Sequence, residues 1–233
     1  MNYVAVIVAG GSGTRMGKEL PKQFLELNGK PIFIYSIEAF RLAYPSIKIV
    51  LVLPADYIEM AQQLVAQHNI DRHIDYVAGG KTRFDSVKNG LSRVADADKI
   101  VFVHDAVRCL VTPGLIQHCG DLAEKEGSAI PVVPVKDSMR RIDPTVGTST
   151  IVNRENLVVV QTPQTFQREI LLNAFDQPYD PLFTDEASVV EAAGCQVRLI
   201  QGEETNIKIT FPEDLAYAAW RLSIREKGVG NRE

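Results

Sequence analysis

The residues best placed to do chemistry open the chain: Ala9-Gly10-Gly11-Ser12-Gly13-Thr14-Arg15-Met16-Gly17, followed by Pro21-Lys22-Gln23. A glycine-rich turn after a buried strand lets backbone N–H groups approach a phosphate closely. Two familiar phosphate patterns fit it poorly. A P-loop ending at Gly17-Lys18 needs Gly at position 12 and Ser or Thr at 19, where Ser12 and Glu19 stand. The dinucleotide pattern begun at Gly11 meets Met16 where its third glycine belongs, and Asp56 lies too far along to hold a ribose. A third arrangement uses Arg15 and Lys22. Cations fixed beside a phosphorus under attack stabilise the charge that grows on its equatorial oxygens. On the glycine loop alone, both are better read as solvated surface charges. A second candidate, Asp105, closes the apolar run 100–104. It is either a turn cap or a residue at the carboxyl end of a strand, where open sheets bind ligands.

The elements that must position these residues are legible as apolar runs and helical spacing. Runs at 4–8, 47–53, 74–78, 100–104, 130–135, 157–160 and 197–200 are apolar nearly throughout, which predicts strands covered on both faces. Between them, 31–42, 57–68, 83–94, 112–126, 185–193 and 212–225 have helical spacing. Alternating strand and helix predicts a mainly parallel, Rossmann-like α/β sheet with helices on both sides. Residues 136–156 break the alternation: the turn signal Asp143-Pro144-Thr145-Val146-Gly147 lies between two short β-like runs and predicts a hairpin. An isolated hairpin is marginal in water, so it must pack on a partner subunit or on its own domain, and the residues alone leave both open. The expectation is one domain over 1–227 with a frayed tail at 228–233.

A net charge of -4 argues against general binding to nucleic acid or membrane surfaces. The first residues lack the basic region and cleavage site of a signal peptide, and Cys109, Cys119 and Cys195 form no metal-spaced set. A cytoplasmic protein with reduced thiols is expected.

Further blocks occur in a defined order: Gly79-Gly80-Lys81-Thr82-Arg83-Phe84-Asp85-Ser86-Val87, His104-Asp105-Ala106-Val107-Arg108, Lys136-Asp137-Ser138 and Gln161-Thr162-Pro163-Gln164. Thr184-Asp185-Glu186-Ala187-Ser188 and Asn206-Ile207-Lys208-Ile209-Thr210 complete the set. With the opening loop, they resemble the cytidylyltransferases among the sugar-nucleotide pyrophosphorylase-like nucleotidyltransferases, most closely the methylerythritol phosphate family of the non-mevalonate isoprenoid pathway. The resemblance runs from residue 4 to about 222. It implies transfer of CMP from CTP to 2-C-methyl-D-erythritol 4-phosphate with loss of pyrophosphate, assisted by Mg2+. It implies that Ala9, Gly10, Gly11, Ser12 and Gly13 hold the CTP phosphates and base, and that Arg15 and Lys22 brace the reacting phosphorus. Arg83 and Ser86 would lie near the cytidine, and Asp105 beside the ribose and the metal. Arg108 would support its own loop at the acceptor pocket, which Ser138 and Thr184 would help to line. Thr162, Lys208 and Arg154 would meet the acceptor phosphate, Arg154 from the hairpin of a second subunit. The resemblance thus implies a homodimer built through that hairpin.

Chemistry removes His104 from candidacy as a general base. The attacking group, a phosphate monoester with a second pKa of about 6, is already an oxyanion, so His104 is read as structural. Thr184-Asp185-Glu186 has the form of a helix cap and first turn. Arg154 has Asp143 as an alternative partner within the hairpin. Three positions depart from the family pattern. Ser138 stands where Thr is common and keeps the hydroxyl; Cys109 stands where Pro is common after the His-Asp-Ala block. Thr205 stands where Asp often precedes Asn206-Ile207-Lys208, so metal binding would lean on Asp105, water and phosphates. The rivals are a ribitol 5-phosphate cytidylyltransferase, an NAD(P)-dependent oxidoreductase and a catalytically silent binding protein.

Overall fold

The computed structural model describes residues 2–10, 20–70, 74–226 and 228. Its centre is a sheet built from the predicted apolar runs. Strands β1 (Tyr3–Val8), β4 (Lys48–Leu53) and β6 (Ile100–Asp105) are buried almost throughout, as runs without polar alternation require. With β5 (Ile74–Ala78), they form a parallel set in the order β5-β4-β1-β6. Beyond β6 the sheet turns mixed. Strand β11 (Gln164–Gln167) runs antiparallel to both β6 and β7 (Ser128–Pro134), while β10 (Val158–Val160) and β12 (Leu199–Gln201) pair β7. Strands β2 (Glu26–Leu27) and β3 (Lys30–Pro31) pair only with each other.

Strand alternation sorts side chains into two cores. On one face Ile7, Leu51 and Phe102 pack beneath α1 (Ile32–Ala43), α2 (Ile58–Gln67) and α4 (Pro113–Glu126). On the other, Val6, Val52 and Val103 pack beneath α3 (Arg83–Leu91), α5 (Arg168–Phe175) and α6 (Glu186–Ala192). A third cluster seats α7 (Pro212–Glu226) through Ala218 and Leu222 on Leu25, Tyr35, Leu110 and Ile209. Thr112 caps α4 and Pro113 follows it, where a missing N–H is harmless.

Four of these elements were not foreseen: the short pair β2 and β3, the strand β11 and the helix α5. Only Phe166 of the four β11 residues is apolar, and β10 and β11 behave as one strand with an insertion. Val160 faces Val132, whereas Thr165 faces Ala129, so five steps on one strand oppose three on the other. The surplus residues form a bulge at Thr162-Pro163, joined by a cis peptide bond. The expected hairpin is present: β8 (Met139–Ile142) and β9 (Ser149–Val152) pair only with each other and are almost wholly exposed.

Candidate active site

Strand order reverses at β1, with β4 on one side and β6 on the other, which opens a crevice at the strands' carboxyl ends. The register puts Val8 beside Asp105, so Ala9 and Gly10 leave the sheet next to that carboxylate. The ladder runs slightly past the strands: Ala9 N–H donates to the Val52 carbonyl at 2.8 Å and Gly79 N–H to that of Leu53 at 2.7 Å. Two of the quoted glycine segments are thereby brought together. A methyl built on Gly10 would sit 3.3 Å from Ser86 Oγ, tighter than ordinary contact. The buried Ser86 hydroxyl accepts from Gly80 N–H at 3.0 Å and donates to the Thr82 carbonyl at 2.9 Å, which folds residues 79–82 into a tight turn. Gly11, Ser12, Gly13 and Arg15 lie outside the described residues, so the structure gives no position for the predicted arginine.

Thr82 then starts α3 with a reciprocal cap: it accepts from Asp85 N–H at 3.0 Å, and Asp85 accepts from Thr82 N–H at 3.1 Å. This sets Arg83 as the first helical residue, aimed at the end of β6. Alternation along β6 sends Asp105 to that same side. Arg83 Nη2 lies 3.2 Å from Asp105 Oδ1, and Lys208 Nζ donates to Asp105 Oδ2 at 2.8 Å. Arg108 Nε stands 4.0 Å from the same carboxylate while its Nη1 donates to the Asn206 carbonyl at 2.9 Å. Burial alone would raise the Asp105 pKa, but Arg83, Lys208 and Arg108 outweigh it and hold the carboxyl well below the usual range.

His104 points to the opposite face, against the Phe40 ring at 5.4 Å between centroids. Burial pushes its pKa down to about 3, against the pull of the Asp105 carboxylate, so the imidazole is neutral near pH 7. Thr162 Oγ1 shares a 3.0 Å hydrogen bond with His104 Nδ1 and accepts from Asp105 N–H at 3.1 Å. The structure therefore puts the Thr162 hydroxyl beneath Asp105, held there by the bulge.

The Pro21-Lys22-Gln23 block docks on two parts of the site. Buried Gln23 donates to the Ala9 carbonyl at 2.5 Å, and Lys22 Nζ donates to the Ile209 carbonyl at 2.9 Å. Ile209 N–H in turn donates to the Val107 carbonyl at 3.0 Å, so the lysine-bearing loop at 206–210 is tied to the loop after β6. Ser138, Arg154 and Thr184 behave differently. All three are exposed, and no hydrogen bond or ion pair among the described residues joins them to Asp105 or Lys208. Arg154 does not pair with Asp143; it donates to the Lys136 carbonyl at the base of the hairpin. The cap of α6 is Asp185 rather than Thr184.

Sequence reasoning missed a set of buried polar residues that assemble the site. Glu186, 1% exposed, forms a two-point ion pair with Arg83; its second contact, Oε2 to Nη2, is 3.0 Å. Gln164 accepts from Ala187 N–H at 2.7 Å and donates to Asp185 at 2.8 Å, which anchors α6 to the bulged strand. Asn206 donates to the Thr162 carbonyl at 2.9 Å. Their blocks are recognisable along the chain, but no local feature of Gln164, Glu186 or Asn206 says which partner each will hold; burial then demands one.

Among the described residues, no group of three or more His, Cys, Asp or Glu side chains could hold a metal ion. Nor is any described helix long and apolar enough to cross a membrane. A glycine turn, a carboxylate and several cations grouped at the switch point of a mainly parallel sheet define a Rossmann-like α/β nucleotidyltransferase. Residues 3–223 match the family model for 2-C-methyl-D-erythritol 4-phosphate cytidylyltransferase, and the chain belongs to that family. It is 46% identical over 215 residues to the 2-C-methyl-D-erythritol 4-phosphate cytidylyltransferase of Bacteroides thetaiotaomicron, covering 92% of this chain and 97% of that one. A crystal structure of 4-diphosphocytidyl-2C-methyl-D-erythritol synthase from Anaerococcus prevotii superimposes with a TM-score of 0.81 at 25% identity, covering 95% of this chain and 98% of that one. The Thermus thermophilus cytidylyltransferase superimposes with a TM-score of 0.75 at 30% identity, covering 94% of this chain and 98% of that one.

Proposed function

We propose that this protein transfers CMP from CTP to 2-C-methyl-D-erythritol 4-phosphate, releasing pyrophosphate, by in-line attack of the acceptor phosphate on the α-phosphorus. One observation carries the reading: Lys22 is bonded to the carbonyl of Ile209, and Lys208 and Arg83 are both bonded to Asp105. Blocks far apart in the chain thus meet beside the carboxyl end of β1, at Ala9 and Gly10. Family membership supplies the substrates.

The chemistry asks for little beyond placement and charge. The nucleophile is an oxyanion already, and neutral, buried His104 is poorly suited to take a proton. Lys22 and Lys208 would transfer their hydrogen bonds from protein oxygens to phosphate oxygens as the substrates enter. Each is half a site waiting for an anion, and the charge they meet grows in the transition state. Arg15 is assigned beside them from the family resemblance. Thr162 and Arg108 act from behind, fixing the end of β6 and the 206–210 loop. Because one phosphoanhydride replaces another, removal of pyrophosphate would drive the reaction forward.

Magnesium fits this site in one mode. Asp105 is a single carboxylate already facing three cations, and Thr205 adds no charge, so the protein alone makes a poor cage. One carboxylate plus phosphate oxygens and water is, however, the ordinary way a protein holds this ion. Asp105 would hold it together with the triphosphate, and the ion would neutralise charge on the phosphates.

The exposed hairpin supports a homodimer. Ile142 and Ile151 are 70% and 83% exposed on a two-stranded ribbon that is marginal alone, and Val158, Val159 and Leu199 continue the apolar surface on the sheet edge. A second copy would cover this surface and receive Arg154 at its acceptor pocket, with Ser138 and Thr184 nearby. Free Cys109, Cys119 and Cys195 and the charge of -4 support a cytoplasmic enzyme whose partners are CTP, the polyol phosphate and its own copy, not nucleic acid or membrane.

The test is pyrophosphate release from CTP with magnesium, offering 2-C-methyl-D-erythritol 4-phosphate and ribitol 5-phosphate separately. Release with the first alone is expected. Release with ribitol 5-phosphate alone would move the chain to another acceptor, and silence with both would end the cytidylyltransferase assignment.

A further inference from the structure

We infer that Glu186 is a positioning residue for nucleotide binding: it restrains Arg83 so that the Asp105 carboxylate stays open to CTP. The inference rests on the cytidylyltransferase assignment and goes beyond it, since Glu186 is buried and reaches Asp105 only through Arg83.

The geometry carries it. Arg83 offers a planar fork, and both of its terminal nitrogens engage Glu186, whereas only Nη2 reaches Asp105, at 3.2 Å. A bidentate carboxylate is the stronger claim on a guanidinium, so Glu186 sets where Arg83 sits and Asp105 receives one side contact. Glu186 is held independently of this pair. Asp185 and Ser188 cap α6 reciprocally, and Gln164 binds both Asp185 and Ala187, so the first turn of α6 cannot drift. From the other side, the Thr82–Asp85 cap fixes the start of α3. Two capped helices therefore present one carboxylate and one guanidinium to each other beside a third group, Asp105, which must serve an incoming ligand.

Without the Glu186 charge, the nearest anion left to the Arg83 fork is Asp105. The guanidinium would close on it bidentately, with Lys208 already on Oδ2, and the carboxylate would be fully engaged before CTP arrived. Glu186 is thus a competitor placed to keep that pair from forming. The sign of the effect is diagnostic. Removing a negative charge beside an anion-binding crevice should, by simple electrostatics, strengthen binding of a triphosphate. The positioning role demands the opposite.

The experiment compares wild type with Glu186→Gln, Arg83→Gln and the double variant Arg83→Gln/Glu186→Gln. It reads CTP affinity by calorimetry without acceptor, then KM for CTP and kcat with both substrates. Glu186→Gln is expected to weaken CTP binding and raise its KM by about tenfold, with kcat at saturating CTP changed far less. In the Arg83→Gln background the same substitution should do nothing further, because no fork remains to restrain. Unchanged or tighter CTP binding by Glu186→Gln overturns the inference. If that variant does not fold, the double variant, which removes both partners of the buried pair, decides: binding CTP more than threefold more weakly than Arg83→Gln overturns it equally. An inactive wild type that binds no CTP would instead remove the assignment beneath, which separates the two failures.

Discussion

Gly90 lies on the side of α3 that faces the sheet, and replacing it with alanine tests how closely that helix rides on β1 and β4. The added methyl would stand 2.6 Å from Val6 Cγ1 and 2.8 Å from Val52 Cγ2. Carbon atoms at rest sit about 3.5–4.0 Å apart, so each contact is short by about 1 Å. Neither valine can give way. Both are fully buried, both are stiff at χ1, and both belong to interior strands paired on each side. The helix must lift instead, which opens a gap under Phe84, Val87 and Leu91. Overpacking of this kind costs about 1–3 kcal/mol, and two clashes against stiff partners put Gly90→Ala near the upper end. Alanine returns about 1 kcal/mol through helix propensity, leaving a net loss of about 2 kcal/mol. For a chain of this size that is a fall of about 4–8 °C in Tm. The same lift moves Arg83, whose 3.2 Å contact with Asp105 has no slack for a displacement of about 1 Å, so CTP affinity should fall as well. Urea unfolding at 25 °C, followed by circular dichroism, gives the first quantity. A Gly90→Ala protein at least as stable as wild type would mean that only the propensity gain is felt, and that α3 rides more loosely than the structure has it.

Two further outcomes follow from burial. Cys109 and Cys119 are buried, which pushes both thiols up to about 12, whereas Cys195 is exposed. At pH 8 a disulfide reagent should therefore titrate one thiol quickly in the native protein and three after denaturation; three fast thiols would contradict the packing of Cys109 against α7 and of Cys119 in α4. For the hairpin, Ile151→Lys should shift the protein from dimer to monomer in sedimentation velocity. A twofold interface would feel the charge twice, and on the proposed arm exchange activity should fall because Arg154 could no longer reach the neighbouring pocket. A wild type that is monomeric and fully active would remove the exchanged arm.

What could be read from the residues and what could not differ in physical kind. Strands β1, β4 and β6 announce themselves because full burial leaves no polar alternation, and α4 because Thr112-Pro113 is a local start signal. The hairpin at 139–152 is local for the same reason: a turn between two short runs. Strand β11 failed this test because its pairing, not its composition, makes it a strand. Gln164 to Gln167 bonds to β6 and β7 from more than thirty residues away in sequence. The site divides in the same way. Gly10, Lys22, Arg83, Asp105 and Lys208 could be named because their types suit an anion and their blocks keep a recognisable order. Glu186 could not, because nothing local distinguishes a first-turn glutamate that complements the helix dipole from one that holds an arginine. Only the fold brings α6 over α3, and only then does a buried carboxylate acquire a partner and a consequence. Residues that meet a ligand are thus constrained by chemistry visible along the chain. Residues that hold them are constrained by pairings the chain does not spell out, so the supporting shell of a site is where a structure adds most to a sequence.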